Sequence, residues 1–251
     1  MFTPGQRDQL RETLIEAARS DERVTGAALT GSAAMGAEDA WSDIDLALGI
    51  AGRADASQVM ADWTRSMYRD HGAVHHFDVV RGATVFRVFL LGSTLQVDIA
   101  FWPEAEFGPI APSFRLMFGT PAEPGRAAEP AAAELIGLGW LYALHARSSI
   151  NRGRAWQAEY MISGIRDQAL ALACVRHRLP AAQGRGIDRL PPEVTEPIAG
   201  ALVRSLAASE LSRAFTAACE GLLAEASLAD TALASRLAGP VTELTRATWQ
   251  A

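Results

Sequence analysis

The residues that could do chemistry gather in two stretches. One runs from the corner Leu29-Thr30-Gly31-Ser32 to Asp43-Ile44-Asp45-Leu46, and the other, Thr94 to Phe101, carries Asp98. Side chains alternate faces along an extended strand, so Asp43 and Asp45 project together while Ile44, Leu46 and Leu48 go to the other side. Two carboxylates held side by side repel unless a cation lies between them, and Mg²⁺ is a hard ion that takes oxygen ligands. Gly31, lacking a Cβ, lets a ligand approach the backbone, where successive N–H groups form an anion-binding nest. Ser32 adds a hydroxyl donor, and Gly36 is a second pivot in the short loop expected after it. A phosphate cradle roughly a dozen residues before a two-carboxylate strand is what metal-assisted phosphoryl or nucleotidyl transfer requires, because that chemistry depends on positioning and charge neutralisation. Asp98 supplies a third carboxylate on the face opposite Val97, Ile99 and Phe101. Neither Asp-x-Asp nor Gly-Ser is specific alone; the three elements in this order are.

These groups need a sheet and a covering layer. Val24 to Leu29 reads as the strand entering the Gly-Ser corner. Thr3-Pro4 starts a helix to Ser20 whose Leu10, Leu14, Ile15 and Ala18 fall at helical spacing. Asp55 to Asp70 repeats that spacing through Val59, Trp63 and Met67 and should cover the sheet. Val74 to Val80 and Thr84 to Leu90 read as strands, with Gly92-Ser93 turning into the Asp98 strand. His75 and His76 are adjacent on a strand and point to opposite faces, which argues against one shared metal ion. Asp78 either caps or pairs, or lies on the catalytic face as an outer carboxylate.

Phe101 to Gly125, rich in Pro and Gly, reads as a loop leaving the first domain, and Ala127 to Ala133 continues as linker. Helical patterns follow over Leu135 to Ile150, Arg154 to Arg178, Pro191 to Ala208, Glu210 to Ala226 and Thr231 to Thr248. The expected organisation is therefore a first domain over 1–126 and a helical one over 127–251. In the helix around Ala155 to Cys174, Met161, Ile165, Ala169 and Leu172 share an apolar face. Trp156, Glu159, Tyr160, Ser163 and Asp167 cluster opposite, either as a face packing on the first domain or as the wall of an acceptor pocket. Arg147, Arg152 and Arg154 bracket its start, within reach of a triphosphate.

Composition bounds the rest. The 251 residues, 49% hydrophobic, suffice for one large domain or two small ones, and a net charge of −6 gives no basic footprint for nucleic acid. All 23 basic residues are arginine, so no lysine can form a Schiff base or serve a P-loop. Cys174 and Cys219 sit in apolar helical stretches as buried thiols, without zinc or disulfide spacing. No apolar leader and no membrane-length apolar run is present, so a cytoplasmic protein is expected.

Taken together, Gly31-Ser32, Asp43-Ile44-Asp45 and Asp98 between apolar residues resemble the nucleotidyltransferase superfamily of the DNA polymerase β type. The segment from Ser20 through Leu46 is similar to the small bacterial antibiotic nucleotidyltransferases, the lincosamide enzymes in particular, and the match covers about the first hundred residues. The resemblance implies an α+β fold, a nucleotidyltransferase-type mixed sheet with flanking helices, followed by an all-α bundle. It implies Mg²⁺ on Asp43 and Asp45, ATP or another nucleoside triphosphate with its β- and γ-phosphates at Gly31 and Ser32 and Arg152 as a further contact, and transfer of AMP to a hydroxyl of a small molecule such as a lincosamide or aminoglycoside. Asp98 is then either a third metal ligand or the general base, and related antibiotic-modifying enzymes use the acidic residue of this strand as the base. No nucleic-acid or membrane partner is expected, and the chain would be a monomer or homodimer. The same layout also resembles bacterial antitoxins that pair with helical ribonucleases. Those are usually smaller and carry the helical domain on a separate chain, and no Arg-x4-6-His ribonuclease signature occurs in the second half of this one, Arg166 and His177 being too far apart.

Overall fold

The computed structural model describes residues 1–123, 125 and 130–246 and divides into two compact units, Met1–Ala127 and Ala128–Ala251. In the first, helix α1 (Pro4–Ser20) precedes strand β1 (Val24–Thr30), the one-turn helix α2 (Gly31–Met35), β2 (Ile44–Ile50) and α3 (Ala56–Asp70). Strands β3 (Ala73–Arg81), β4 (Thr84–Leu91), β5 (Gln96–Pro103) and β6 (Phe114–Phe118) follow. Together the six strands form one mixed sheet in the order β3-β4-β5-β2-β1-β6. Only β2 and β5 run parallel; every other neighbour is antiparallel.

Local chemistry explains the helices on this sheet. Thr3 and Gln6 form a reciprocal capping box at the start of α1, with Pro4 in its first turn, and the Asp55 carboxylate accepts from the Ser57 and Gln58 N–H groups to start α3. The buried stripes Leu14, Ile15 and Ala18 of α1 and Val59, Trp63 and Met67 of α3 meet Ile44, Leu46, Val97 and Ile99 of the central strands in one apolar core. The other face packs a smaller cluster of Ala28, Ala47, Ala100 and Phe107. There the paired Gly26 and Gly49 make the slot for Phe107, since a Cβ on Gly26 would stand 2.6 Å from its ring.

Two segments of the first unit depart from the sequence reading. The span expected as a loop from Phe101 to Gly125 contains β6, which pairs with β1 across most of the first unit, Ala28 opposite Leu116. The short loop expected after Ser32 is instead the helical turn α2. Ala33, Ala34 and Met35 are good helix formers, and Gly36 at φ +64° ends the turn, the Ala37 N–H donating to the Ser32 carbonyl (3.0 Å).

The second unit consists of α4 (Ala132–Asn151), α5 (Ala155–Arg176), α6 (Pro192–Ala199), α7 (Ala208–Ala229) and α8 (Thr231–Arg246). Its core joins Ala143, Ile150, Ile162, Ile165, Ala169, Ile198, Leu211, Phe215, Leu222 and Val241. The helix expected over Pro191 to Ala208 stops at Ala199, because Pro197 removes a backbone donor near its end and Gly200 follows. Thr248, the expected end of the last helix, and part of the expected linker lie outside the described residues. Cys174 and Cys219 are buried free thiols. Among the described residues no helix is long and apolar enough to cross a membrane.

Candidate functional site

Strand register assembles the carboxylates. Asp45 on β2 and Asp98 on β5 are direct partners across the parallel pair, which puts their side chains on one face about 5 Å apart at the backbone. Their neighbours Ile44, Leu46, Val97 and Ile99 point the other way and are buried, which fixes the facing, because a one-residue slip would turn the aspartates into the core. Asp43 lies just before β2, in the connection from α2, and is partly buried.

The Gly31 corner closes on Asp45. Gly31 has φ +59°, and a Cβ built on it would overlap the Asp45 Oδ2 carboxylate oxygen, so glycine is required both by backbone conformation and by the carboxylate against it. Ser32, half-buried, opens α2, where the first N–H groups of a helix have no partner within it.

Asp98 is the electrostatically unusual group. Burial, and second to it the charge of Asp43, push its carboxyl up to about 6. Its Oδ1 is buried and has no hydrogen-bond partner among the described residues. A buried acceptor in this condition calls for a proton, a donor or a cation.

Among the described residues no group of three His, Cys, Asp or Glu side chains is gathered closely enough to hold a metal ion. The donor chemistry nevertheless suits a hard divalent cation: three carboxylates stand at one end of the sheet, one oxygen lacks a partner, and the Asp43 charge opposes ionisation of Asp98.

The loop carrying Asp43 is pinned by residues that the sequence reading passed over. Arg7, only 4% exposed, donates to the Asp39 carbonyl (2.6 Å) and more weakly to that of Ser42 (3.4 Å), and pairs with Glu38 at 3.4 Å. Arg11 forms a short ion pair with the same Glu38. Asp39 and Ser42 close the loop on themselves, the Asp39 N–H donating to Ser42 Oγ (2.9 Å) and the Trp41 N–H to Asp39 Oδ1 (2.8 Å). The signal was available: Arg7 falls on the helical stripe of Leu14 and Ala18, where a charge must find partners.

Asp78 is not on the carboxylate face. It shares the row Asp78–Arg87–Ile99–Leu46, whereas Asp98 belongs to the row Phe77–Val88–Asp98–Asp45. Its carboxylate makes a two-pronged ion pair with Arg87 (2.6 Å on each arm), which holds its pKa below the usual range. Arg87 reaches on to Thr64 Oγ1 (2.7 Å), so the pair ties the sheet to α3. His76 Nδ1 meets the Tyr68 hydroxyl (2.9 Å) while His75 faces solvent, as strand alternation requires.

In the second unit, Arg152 is exposed at the C-terminal cap of α4, its N–H donating to the Ser148 carbonyl (3.2 Å), and Arg154 caps α5. On α5, Ile162, Ile165, Ala169 and Leu172 are buried, while Trp156 and Tyr160 are 76% and 67% exposed. Ser163 donates to Glu159 (2.8 Å) on that outward side.

A scan against protein-family models and a search of curated proteins find no match for the chain. Among solved structures it is similar to an aminoglycoside 6-adenyltransferase from Bacillus subtilis, with 10% sequence identity and a TM-score of 0.42 over 97% of this chain and 99% of that one. A likeness at that level carries no argument about activity.

Proposed function

We propose that this chain transfers a nucleoside monophosphate, AMP from ATP, to a hydroxyl of a small molecule, with a lincosamide or an aminoglycoside as candidate acceptors. The observation that carries the proposal is Asp98: a buried carboxylate in register with Asp45, with one oxygen unpartnered and a pKa raised to about 6. Such a group is still ionised at neutral pH but far more basic than an ordinary aspartate, which is what a general base requires. Asp98 takes the proton of the acceptor hydroxyl, the freed oxygen attacks the α-phosphorus, and pyrophosphate departs. Asp43 and Asp45 would hold a divalent cation, whose contribution is neutralisation of phosphate charge. Gly31 and the start of α2 offer backbone N–H groups to the phosphates, with Ser32 as a side-chain donor and Arg152 as a further candidate contact.

The test is incubation of purified protein with Mg²⁺ and labelled ATP against a panel of antibiotics and sugar alcohols, scoring by mass an acceptor that has gained AMP. The expected result is modification of at least one acceptor that fails with Asp43→Asn, Asp45→Asn and Asp98→Asn. Transfer that survives in all three variants would overturn the reading.

A further inference from the structure

We propose that two copies of this chain associate through β3, pairing antiparallel about a two-fold axis at Phe77. β3 is the edge of the sheet; it has β4 on one side and no strand beyond it among the described residues. Nine residues long, it contains no proline, and of its two charged residues Asp78 is already neutralised by Arg87 of β4 while Arg81 stands at the far end. Phe77 is 67% exposed, and Val79 and Val80 are also exposed. A long strand edge that pairs with nothing and displays large apolar side chains is a template for another strand.

The occupant is argued from the sequence of the strand itself. In a two-fold antiparallel pair centred on Phe77, that ring faces its own copy, His76 faces Asp78 and His75 faces Val79. His76 and Asp78 occupy the face on which Asp78 already holds Arg87, so the imidazole of one copy adds an N–H donor to a carboxylate of the other. Phe77, His75 and Val79 occupy the opposite face, where aromatic and β-branched side chains pair well across strands. No other centre within the strand brings together an aromatic pair and complementary polar pairs at once. The irregularity between Ala73 and His75 ends the regular ladder, so the paired span is His75 to Val79 with its flanks. An interface of this length is small, and association in the micromolar range is expected.

Sedimentation of the full chain across about 1–200 µM should show a monomer–dimer equilibrium, and Phe77→Lys, which sets two ammonium groups opposite each other, should raise the dissociation constant by about tenfold or more. Register is tested separately by cysteine pairing, for which Cys174 and Cys219 are too buried to interfere. Under mild oxidation Phe77→Cys should crosslink to its own copy, because cross-strand partners meet disulfide geometry. Val79→Cys should not, since the two copies of position 79 lie about 13 Å apart along the pair. A chain monomeric throughout the range, a dimer indifferent to Phe77→Lys, or equal crosslinking at 77 and 79 would each overturn the proposal.

Discussion

A single carboxyl, Asp98, joins the site's chemistry to its stability. Its folded-state pKa of about 6 lies above the ordinary 3.8, so between those values the native state holds a proton that the unfolded chain does not. Stability from this group is therefore greatest in acid, falls as pH rises from about 4 to 6, and its loss is complete above 6, amounting to at most about 3 kcal/mol. Asp98→Asn should then melt several degrees higher than wild type at pH 8 in metal-free buffer, with the difference vanishing at pH 4, where both side chains are neutral. Equal melting temperatures at pH 8 would contradict the buried-charge account. The same variant should lose on the order of 10²-fold or more in kcat, keep Mg²⁺-ATP affinity within a few-fold and resist rescue by excess metal. Recovery on metal titration would make Asp98 a ligand instead. At Gly31 even alanine is too large: the added methyl needs the Asp45 carboxylate to move and the backbone stays in the left-handed region, at about 1–2 kcal/mol. Calorimetry of Gly31→Ala with a non-hydrolysable ATP analogue should show weakened binding, and unchanged affinity would remove Gly31 from the proposed phosphate site.

Among the elements, the decisive one is the connection from α2 to β2, because it carries Asp43 and is held by α1 rather than by the sheet. Arg7 does most of the holding, through two loop carbonyls and Glu38. Arg7→Met would remove a buried guanidinium from acceptors that are themselves only partly buried, a loss of about 1 kcal/mol, and would let Asp43 wander. Since displacement of a catalytic group by about 1 Å can cost 10²-fold, kcat should drop far more than fold stability suggests. Arg7→Lys, which keeps the charge without the fork, should be intermediate in both kcat and urea midpoint. A fully active Arg7→Met would deny the loop any role in placing Asp43. At this scale the sequence was legible where periodicity and caps speak together, as at Thr3, Asp55 and the alternation around Asp98. It was illegible where the partner is remote: β6 is five residues long and is a strand only because β1 lies beside it. The raised pKa of Asp98 was likewise invisible, since burial belongs to the assembled sheet and not to the strand.

For the molecule as a whole, each unit has an apolar core built from its own residues, Leu14 to Phe101 in the first and Ala143 to Leu244 in the second. Both cysteines sit in the second core. Burial drives the Cys219 thiol up to about 12 and also raises Cys174, so neither is a thiolate at neutral pH and neither is in contact with solvent. Thiol reactivity is therefore a reporter of the helical unit alone, blind to the sheet that carries the carboxylates. Titration of the full chain with urea in the presence of a chromogenic disulfide reagent should release both thiols together, at the midpoint where helical circular dichroism is lost. The same chain cut to residues 130–246 should keep both thiols protected in the absence of urea, because the residues that bury them all lie within that span. Immediate reaction of the fragment's thiols would mean that the second core is not complete without the first unit.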